Sequence, residues 1–284
     1  MKLKLTIIVT VYNNSIYLDR CINSILNQTV LPFEIVIVDD GSKNKIDKKK
    51  INKYKKVFKN ITLFYRKHLG PSSARNLGLK KAKGNLITFF DVDDEMLQNY
   101  IKKKINYIKK NTKKIESMIG VHSHSIRNNV KINFLKTIPS KQNVDLIGKF
   151  QNGICSSLNN YVLIKKNVKN LGGLDKNLSI NEDFDFFIRA LRNNYKIHSI
   201  KDFDVMVNLT TNSLTRNTNV QKRYLEQKKF LKKAKINNYF SPLEQSKREM
   251  NLEKQALKEY VTIKLDINFC IKHLINYLKY LYNI

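Results

Sequence analysis

The chain has 284 residues, enough to bury the core of one large domain or of a domain with an appendage. Its formal net charge is +30, and Lys, Asn and Ile are all abundant, as an AT-rich genome would produce. The three cysteines, Cys21, Cys155 and Cys270, lie far apart without CxxC spacing, which argues against a disulfide framework and a structural zinc site.

The same data argue against export, membrane insertion and nucleic-acid binding. The apolar stretch after Met1 and Lys2 is too short and too polar on its far side for a signal peptide. No window reaches about 18 uninterrupted apolar residues, so no transmembrane helix is expected. The charge would attract anionic lipid or nucleic acid. Because the sequence lacks zinc-finger spacing, an RNP-like motif and a GXXG clamp, we expect no nucleic-acid partner. The separated cysteines and the lack of a signal peptide or transmembrane segment predict a reduced, cytoplasmic protein.

Short apolar runs predict buried strands that alternate with helical patterns. The first four strands are expected at residues 5–11, 33–38, 61–65 and from 86 onward. The helices between them are expected at residues 16–26, 45–58 and 71–84, and Cys21 falls on the apolar face of the first. A further helix is expected at 97–110 and further strands at 115–121 and 161–164, whereas 127–150 gives no clear pattern. This order is typical of an α/β fold with a parallel sheet.

Acidic residues follow two of the predicted strands. Asp39 and Asp40 follow the second strand, and Asp91, Asp93 and Asp94 follow the fourth. Burying unpaired carboxylates is costly, so these acids should lie at the edge where open α/β sheets bind ligands. Three carboxylates this close repel each other unless a cation lies among them, and oxygen ligands suit Mg²⁺ or Mn²⁺. We therefore predict a metal–diphosphate site, with a helix-capping acidic turn as the alternative.

Two further positions have both a structural and a functional interpretation. Arg75 lies near the start of the third helix and is either a phosphate or nucleotide contact or an exposed helix arginine. Glu182 and Asp183 begin another predicted helix, where they are either a capping pair or the site of a general base. There is no GxGxxG after the first strand and no GxxxxGK[ST], which excludes a dinucleotide-binding Rossmann unit and a P-loop NTPase.

Taken together, these segments resemble the family 2 glycosyltransferases, nucleotide-sugar enzymes of the GT-A fold. The resemblance runs from about residue 5 to residue 216. It depends on four motifs in the right order: Thr10-Val11-Tyr12-Asn13, Val38-Asp39-Asp40-Gly41-Ser42, Asp91-Val92-Asp93-Asp94 and Asn181-Glu182-Asp183. It implies a mixed, mostly parallel sheet flanked by helices, with a GT-A domain over residues 1–220 and a basic helical C-terminal extension over residues 221–284.

The resemblance also implies roles for the residues of these motifs. The nucleotide contacts would come from strand ends and the third helix: Thr10, Tyr12, Asp39, Asp40, Arg75 and Asp93. The ligands of Mn²⁺ or Mg²⁺ would be the acids after the fourth strand: Asp91, Asp93 and Asp94. Asp183 would be the catalytic base, supported by Glu182.

The implied activity is inverting transfer of a hexose or N-acetylhexosamine from a UDP-sugar to an acceptor sugar. The acceptor would belong to a bacterial surface glycan such as lipooligosaccharide, O-antigen or capsule. One displacement needs one base, which fits a single Glu-Asp site rather than the carboxylate pair of a hydrolase. The alternatives are a nucleotidyltransferase of similar fold, which normally needs a glycine-rich basic loop after the first strand, and a non-catalytic basic binding module.

One segment departs from the family pattern. Many members carry an Arg and a His shortly before a Ser-x-Ser/Thr segment, and the His can reach the metal. Here Asn208 and Thr210 stand at the comparable positions. Either the alignment slips there or the cation is held more loosely.

The C-terminal extension is predicted to be helical at residues 221–235 and 243–258, with a break at 237–242. An apolar stripe then follows at helical spacing: Val261, Leu265, Phe269, Leu274, Ile275, Leu278 and Leu281. The stripe would pack against the catalytic domain, lie on a membrane surface or contact a second subunit in an oligomer. A lipid-linked glycan acceptor would favour the second alternative, and our hypothesis is peripheral attachment to an anionic inner face of the cytoplasmic membrane.

Overall fold

The computed structural model describes residues 2–127, 130–132, 157–208, 220–263 and 267–282. The chain forms two compact units. The first comprises Met1–Lys176 and Glu182–Thr210, and the second comprises Asn177–Asn181 and Thr211–Ile284.

The first unit contains a mixed sheet. Its strands are β1 (Leu5–Val11), β2 (Glu34–Asp39), β3 (Ile61–Tyr65), β4 (Leu86–Asp91), β5 (Glu95–Met96), β6 (Met118–Arg127), β7 (Val130–Ile132), β8 (Tyr161–Ile164) and β9 (Lys196–Val207). Within the described ranges they pair in the order β3-β2-β1-β4-β8-β6-β9-β5, with β7 on β6. The first four strands are mutually parallel. β8 is antiparallel to both β4 and β6, whereas β9 is parallel to β6.

The helices of this unit connect the strands and cover the sheet. They are α1 (Leu18–Leu26), α2 (Lys48–Val57), α3 (Pro71–Lys81), α4 (Tyr100–Lys110), α5 (Lys165–Asn170) and α6 (Glu182–Arg192). Pro71 occupies the first turn of α3, where its missing N–H has no helical partner to lose. In α1, Leu18, Cys21, Ile22 and Ile25 form the buried face. Cys21 is therefore a core residue, as predicted.

The core lies around the central strands. β2 is buried along its whole length, and β1 is buried at all but one residue. Strands that are covered on both faces need continuous apolar runs, and this is the pattern from which the first four strands were predicted. The parallel half of the sheet confirms that prediction.

Among the differences from the sequence prediction, two elements begin later than expected and one strand was not expected. The strand expected at 115–121 begins at Met118, because Thr112–Ser117 form a 3-10 helix, and it continues to Arg127. The helix expected from residue 97 begins at Tyr100, because Glu95 and Met96 pair with β9. β9 itself was not predicted, since most of its residues are only partly buried and no regular alternation marks it.

The second unit is helical. It contains α7 (Val220–Ile236), α8 (Pro242–Ile263) and α9 (Ile267–Tyr282). α7 and α8 confirm the predicted helices at 221–235 and 243–258, and the break between them includes Asn238 in a left-handed conformation. In the part of the chain that the structure describes, no helix has the length and apolar character that a membrane span requires.

Candidate active site

The ends of three parallel strands bring the first motifs together. Thr10, near the end of β1, lies opposite Val38 of β2 on one side and Asp91 of β4 on the other. Because these strands run in the same direction, the segments that follow them leave the sheet at one edge. The residues predicted to bind the nucleotide and the metal therefore begin at adjacent positions, at the edge where open α/β sheets bind ligands.

Arg75 joins two distant acidic motifs. Its Nη2 donates to Asp91 Oδ1 at 2.8 Å, and its Nη1 donates to Glu182 Oε1 at 2.7 Å. Burial alone would lower the pKa of Arg75, but the two carboxylates outweigh burial and raise it. The residue is buried, so the exposed-arginine interpretation is wrong. The acids at the end of β4 and at the start of α6 thus lie on either side of one guanidinium group.

Glu182 and Asp183 form an acidic pair at the first turn of α6. Asp183 Oδ1 accepts the N–H of Phe184 at 2.7 Å. Burial raises the pKa of both carboxyl groups, and the charge of Asp183 raises the pKa of Glu182 further, while Arg75 acts in the opposite direction on both. A carboxylate with a raised pKa is a stronger base, which suits it to accept a proton near neutral pH.

Asp39 organises the loop after β2. One carboxylate oxygen accepts the N–H of Ser42 at 2.8 Å, and the other accepts the N–H of Ile46 at 3.1 Å. The residue is only 1% exposed. Asp39 therefore fixes the loop that carries Asp40, and its contact with the nucleotide stays a prediction.

Asp40 lies within a basic cluster that sequence analysis missed. Arg66 Nε is 3.0 Å from Asp40 Oδ1, and His68 Nδ1 is 2.8 Å from Oδ2. The ring of His68 also stacks on the ring of Tyr12, with centroids 3.9 Å apart. Arg66 and His68 follow β3 without any motif spacing, so only the adjacency of β1, β2 and β3 reveals them.

Gly41 allows the loop after β2 to approach this cluster. Its φ is +79°, a conformation that favours glycine, and an added Cβ would lie 2.5 Å from the backbone nitrogen of His68. The family motif around Asp40 therefore has a steric reason for its glycine. Tyr12 itself stays 38% exposed beside the loop.

The acidic turn after β4 is held by residues far away in sequence. Asp94 is buried and accepts hydrogen bonds from the side-chain amide of Asn159 and from the backbone N–H of Asn208, the latter at 3.0 Å. The Asn208 side chain donates to the carbonyl oxygen of Asp93 at 3.0 Å and to Glu95 Oε1 at 3.1 Å. Asn208, noted above as a departure from the family pattern, is therefore a support of this turn. Thr210 lies outside the described residues.

Residues 6–162 match the family model described as glycosyl transferase family 2, which covers more than half of the chain. The chain belongs to this family. The motif that contains Asp183 lies beyond the matched residues.

Two uncharacterized glycosyltransferases are similar in sequence to part of the chain. An uncharacterized glycosyltransferase of Haemophilus influenzae is 32% identical over 148 residues, which are 52% of this chain and 57% of that protein. An uncharacterized glycosyltransferase of Rickettsia bellii is 38% identical over 108 residues, which are 38% of this chain and 15% of that protein. The chain thus spans less than two thirds of the length of these relatives.

The fold is that of a known glycosyltransferase structure. S. aureus TarS residues 1–349, solved in complex with UDP-GlcNAc, superimposes with a TM-score of 0.68 at 18% identity and covers 98% of this chain and 81% of that one. This likeness confirms the predicted GT-A type of α/β fold.

The metal ligands expected at Asp91, Asp93 and Asp94 stay a prediction. No three His, Cys, Asp or Glu side chains among the described residues lie close enough together to hold an ion. Asp91 pairs with Arg75, and Asp94 accepts amide hydrogen bonds. Asp93 is partly exposed at the same turn. Since Mg²⁺ is commonly held by one or two carboxylates together with substrate phosphates and water, this turn fits an ion that arrives with a diphosphate.

Proposed function

We propose that the chain is an inverting glycosyltransferase that moves a hexose or N-acetylhexosamine from a UDP-sugar to a sugar hydroxyl of a bacterial surface glycan. The observation that carries this proposal is the bridge from Asp91 through Arg75 to Glu182. The acidic turn after β4 would hold the donor. The bridge places this turn close to Glu182 and its neighbour Asp183, the acid that would activate the acceptor. Membership of family 2 supports the class of reaction.

The relatives support the substrates at the level of their class. TarS has been solved with UDP-GlcNAc and with UDP. A poly(ribitol-phosphate) beta-glucosyltransferase of Bacillus spizizenii is 31% identical over 150 residues, 50% of this chain and 23% of that protein. We therefore infer a UDP-sugar donor and a cell-surface polymer or oligosaccharide as the acceptor.

The donor would lie along the edge formed by β1, β2 and β4. Tyr12, stacked on His68 and partly exposed, would present a ring to the uracil, and Thr10 would lie below it at the strand end. Asp40 would contribute to the nucleotide site by holding the loop after β2 against Arg66 and His68. Asp93 would hold Mn²⁺ or Mg²⁺ together with the diphosphate, and the ion would neutralise charge on the departing UDP.

Asp183 would be the base in this reaction. Its carboxylate would take the proton from the acceptor hydroxyl while the acceptor oxygen forms a bond to the anomeric carbon. The bond from that carbon to the diphosphate oxygen would break, and its electron pair would leave with UDP. Glu182, held by Arg75, would fix the position of Asp183. Burial, together with the charge of Asp91, keeps the pKa of Asp183 raised.

The test is a panel of UDP-sugars with cell-envelope glycan acceptors, scored for UDP release by the full chain with and without Asp183→Asn. General-base catalysis typically contributes about 10²–10⁴-fold, so the variant should lose at least about 10²-fold in transfer rate and retain UDP affinity. Asp202→Asn is the matched control, because Asp202 pairs with Lys103 at the surface of the same unit. Transfer at the wild-type rate by Asp183→Asn would show that the base is a different residue.

A further inference from the structure

The last helix of the second unit exposes an apolar stripe. Ile271, Leu274, Ile275 and Leu278 of α9 are 40 to 50% exposed. Their spacing of three, one and three residues places them along one face of a helix. Large aliphatic side chains aligned in this way on one surface mark a binding face.

The opposite side of α9 is polar and faces α8. His273 is 1% exposed and its Nδ1 contacts Glu253 of α8. The hydroxyl of Tyr280 donates to Glu249 of α8 at 2.7 Å. If α9 rotated so that its apolar stripe faced α8, these contacts would break. The carboxylates of Glu249 and Glu253 would then face aliphatic side chains without hydrogen-bond partners from α9. The helix is therefore anchored by its polar side and presents its apolar side outward.

Positive charge lies beside the stripe. Lys272 and Lys279 are exposed and follow Ile271 and Leu278 directly in the chain. Residues 220–284 contain 14 Lys and Arg against six Asp and Glu. An exposed apolar face with lysines beside it and polar groups on the opposite side is the arrangement of helices that lie in a membrane interface.

We propose that the apolar stripe of α9 binds the surface of a bilayer that contains anionic lipid. The four aliphatic side chains would enter the boundary between headgroups and acyl chains, and Lys272 and Lys279 would contact the lipid phosphates. A second copy of the chain fits the stripe less well. A self-complementary contact would bring the lysines of two molecules together, and each molecule already carries a formal charge of +30.

The test is sedimentation of the full chain with phosphatidylcholine vesicles and with vesicles that also contain phosphatidylglycerol. The chain should bind the anionic vesicles, and raised salt should weaken the binding. The double variant L274S/I275S removes most of two aliphatic side chains from the stripe, so its vesicle partition coefficient should fall at least about tenfold.

L243S is the matched control, because Leu243 is 67% exposed in the same unit but lies at the start of α8. It should bind as the wild type does, and both variants should keep the wild-type circular dichroism. Equal binding by L274S/I275S and the wild type, or no binding by the wild type, would overturn the proposal. So would a dimer in solution that L274S/I275S dissociates, since the stripe would then bind a second copy.

Discussion

Glu182 and Asp183 have proton affinities that depend on one guanidinium group. Arg75 pairs directly with Glu182, and its charge lowers the pKa of both acids against the larger effect of burial. The net result is a pair of carboxyl groups that protonate at higher pH than ordinary side chains do. The rate of transfer should therefore depend on pH in a way that these two residues set.

The rate of transfer should fall with decreasing pH at a higher pH than an ordinary aspartate would give. The base form of Asp183 is lost as pH drops through its raised pKa, so the acid limb of kcat/KM should lie above the usual aspartate value. In Arg75→Gln the positive charge is gone while the burial of the acidic pair remains. The pKa of Asp183 should then rise further, and the limb should move to higher pH.

The measurement is kcat/KM against pH for the wild type, Arg75→Gln and the control Asp202→Asn. Asp202 lies outside the acidic pair, so its variant should reproduce the wild-type profile. An acid limb at the same pH in Arg75→Gln and in the wild type would mean that Arg75 does not set the pKa of the base.

At the scale of elements, the sequence predicted the acidic turn between β4 and β5. It did not predict the residues whose hydrogen bonds hold this turn in place. The apolar run that ends in three acids is a local signal. Asn159 and Asn208, which hold Asp94, come from segments more than sixty residues away. An asparagine after a strand has no distinctive spacing, so only the pairing of β5 with β9 reveals what Asn208 does.

Asn208→Ala should loosen this turn. The variant keeps the backbone N–H that Asp94 accepts but loses two side-chain hydrogen bonds, to the Asp93 carbonyl and to Glu95. A net hydrogen bond is worth about 1 kcal/mol, so the free energy of unfolding should fall by about 1–2 kcal/mol. UDP affinity in the presence of Mn²⁺ should fall as well, because Asp93 lies in the turn.

Urea unfolding and UDP titration measure both effects. Asn193→Ala is the control, because its side-chain amide also donates to a backbone carbonyl, that of Arg189, but at an exposed helix end. It should leave UDP affinity unchanged. If Asn208→Ala bound UDP as the wild type does, the turn would not depend on Asn208 for ligand binding.

At the scale of the whole molecule, the sequence predicted the parallel half of the sheet and the helices of the second unit. Both of these predictions depend on the local pattern of apolar residues along the chain. That pattern is clear in β1 to β4, most of which are buried on both faces, and in the long helices α7 and α8. The other half of the sheet was only partly predicted. β6 and β9 mix polar and apolar residues, and their pairing is set by contacts across about eighty positions of the chain.

The two units should respond differently to the nucleotide. In a calorimetric scan, we expect UDP with Mn²⁺ to raise the melting transition of the first unit and to leave that of the second unchanged. A ligand at 100 times its Kd stabilises the state that binds it by about 2.7 kcal/mol.

The variant Gly78→Ala would show which of the two melting transitions belongs to the first unit. An added Cβ at this position of α3 would lie 2.2 Å from Ile8 Cγ2, so only the first unit should lose stability. If UDP with Mn²⁺ moved neither transition, the chain would behave as the non-catalytic basic module considered above.

The Arg75 bridge has a practical consequence for building hybrid enzymes. Exchanging the segment around Glu182 with that of a relative, in order to change the acceptor, would also alter the partner that orients Arg75 against Asp91. A hybrid that does not preserve Asp91, Arg75 and Glu182 together would have a misaligned donor site, even though no residue that contacts the donor was replaced. Recombination experiments should therefore transfer these three positions as one set.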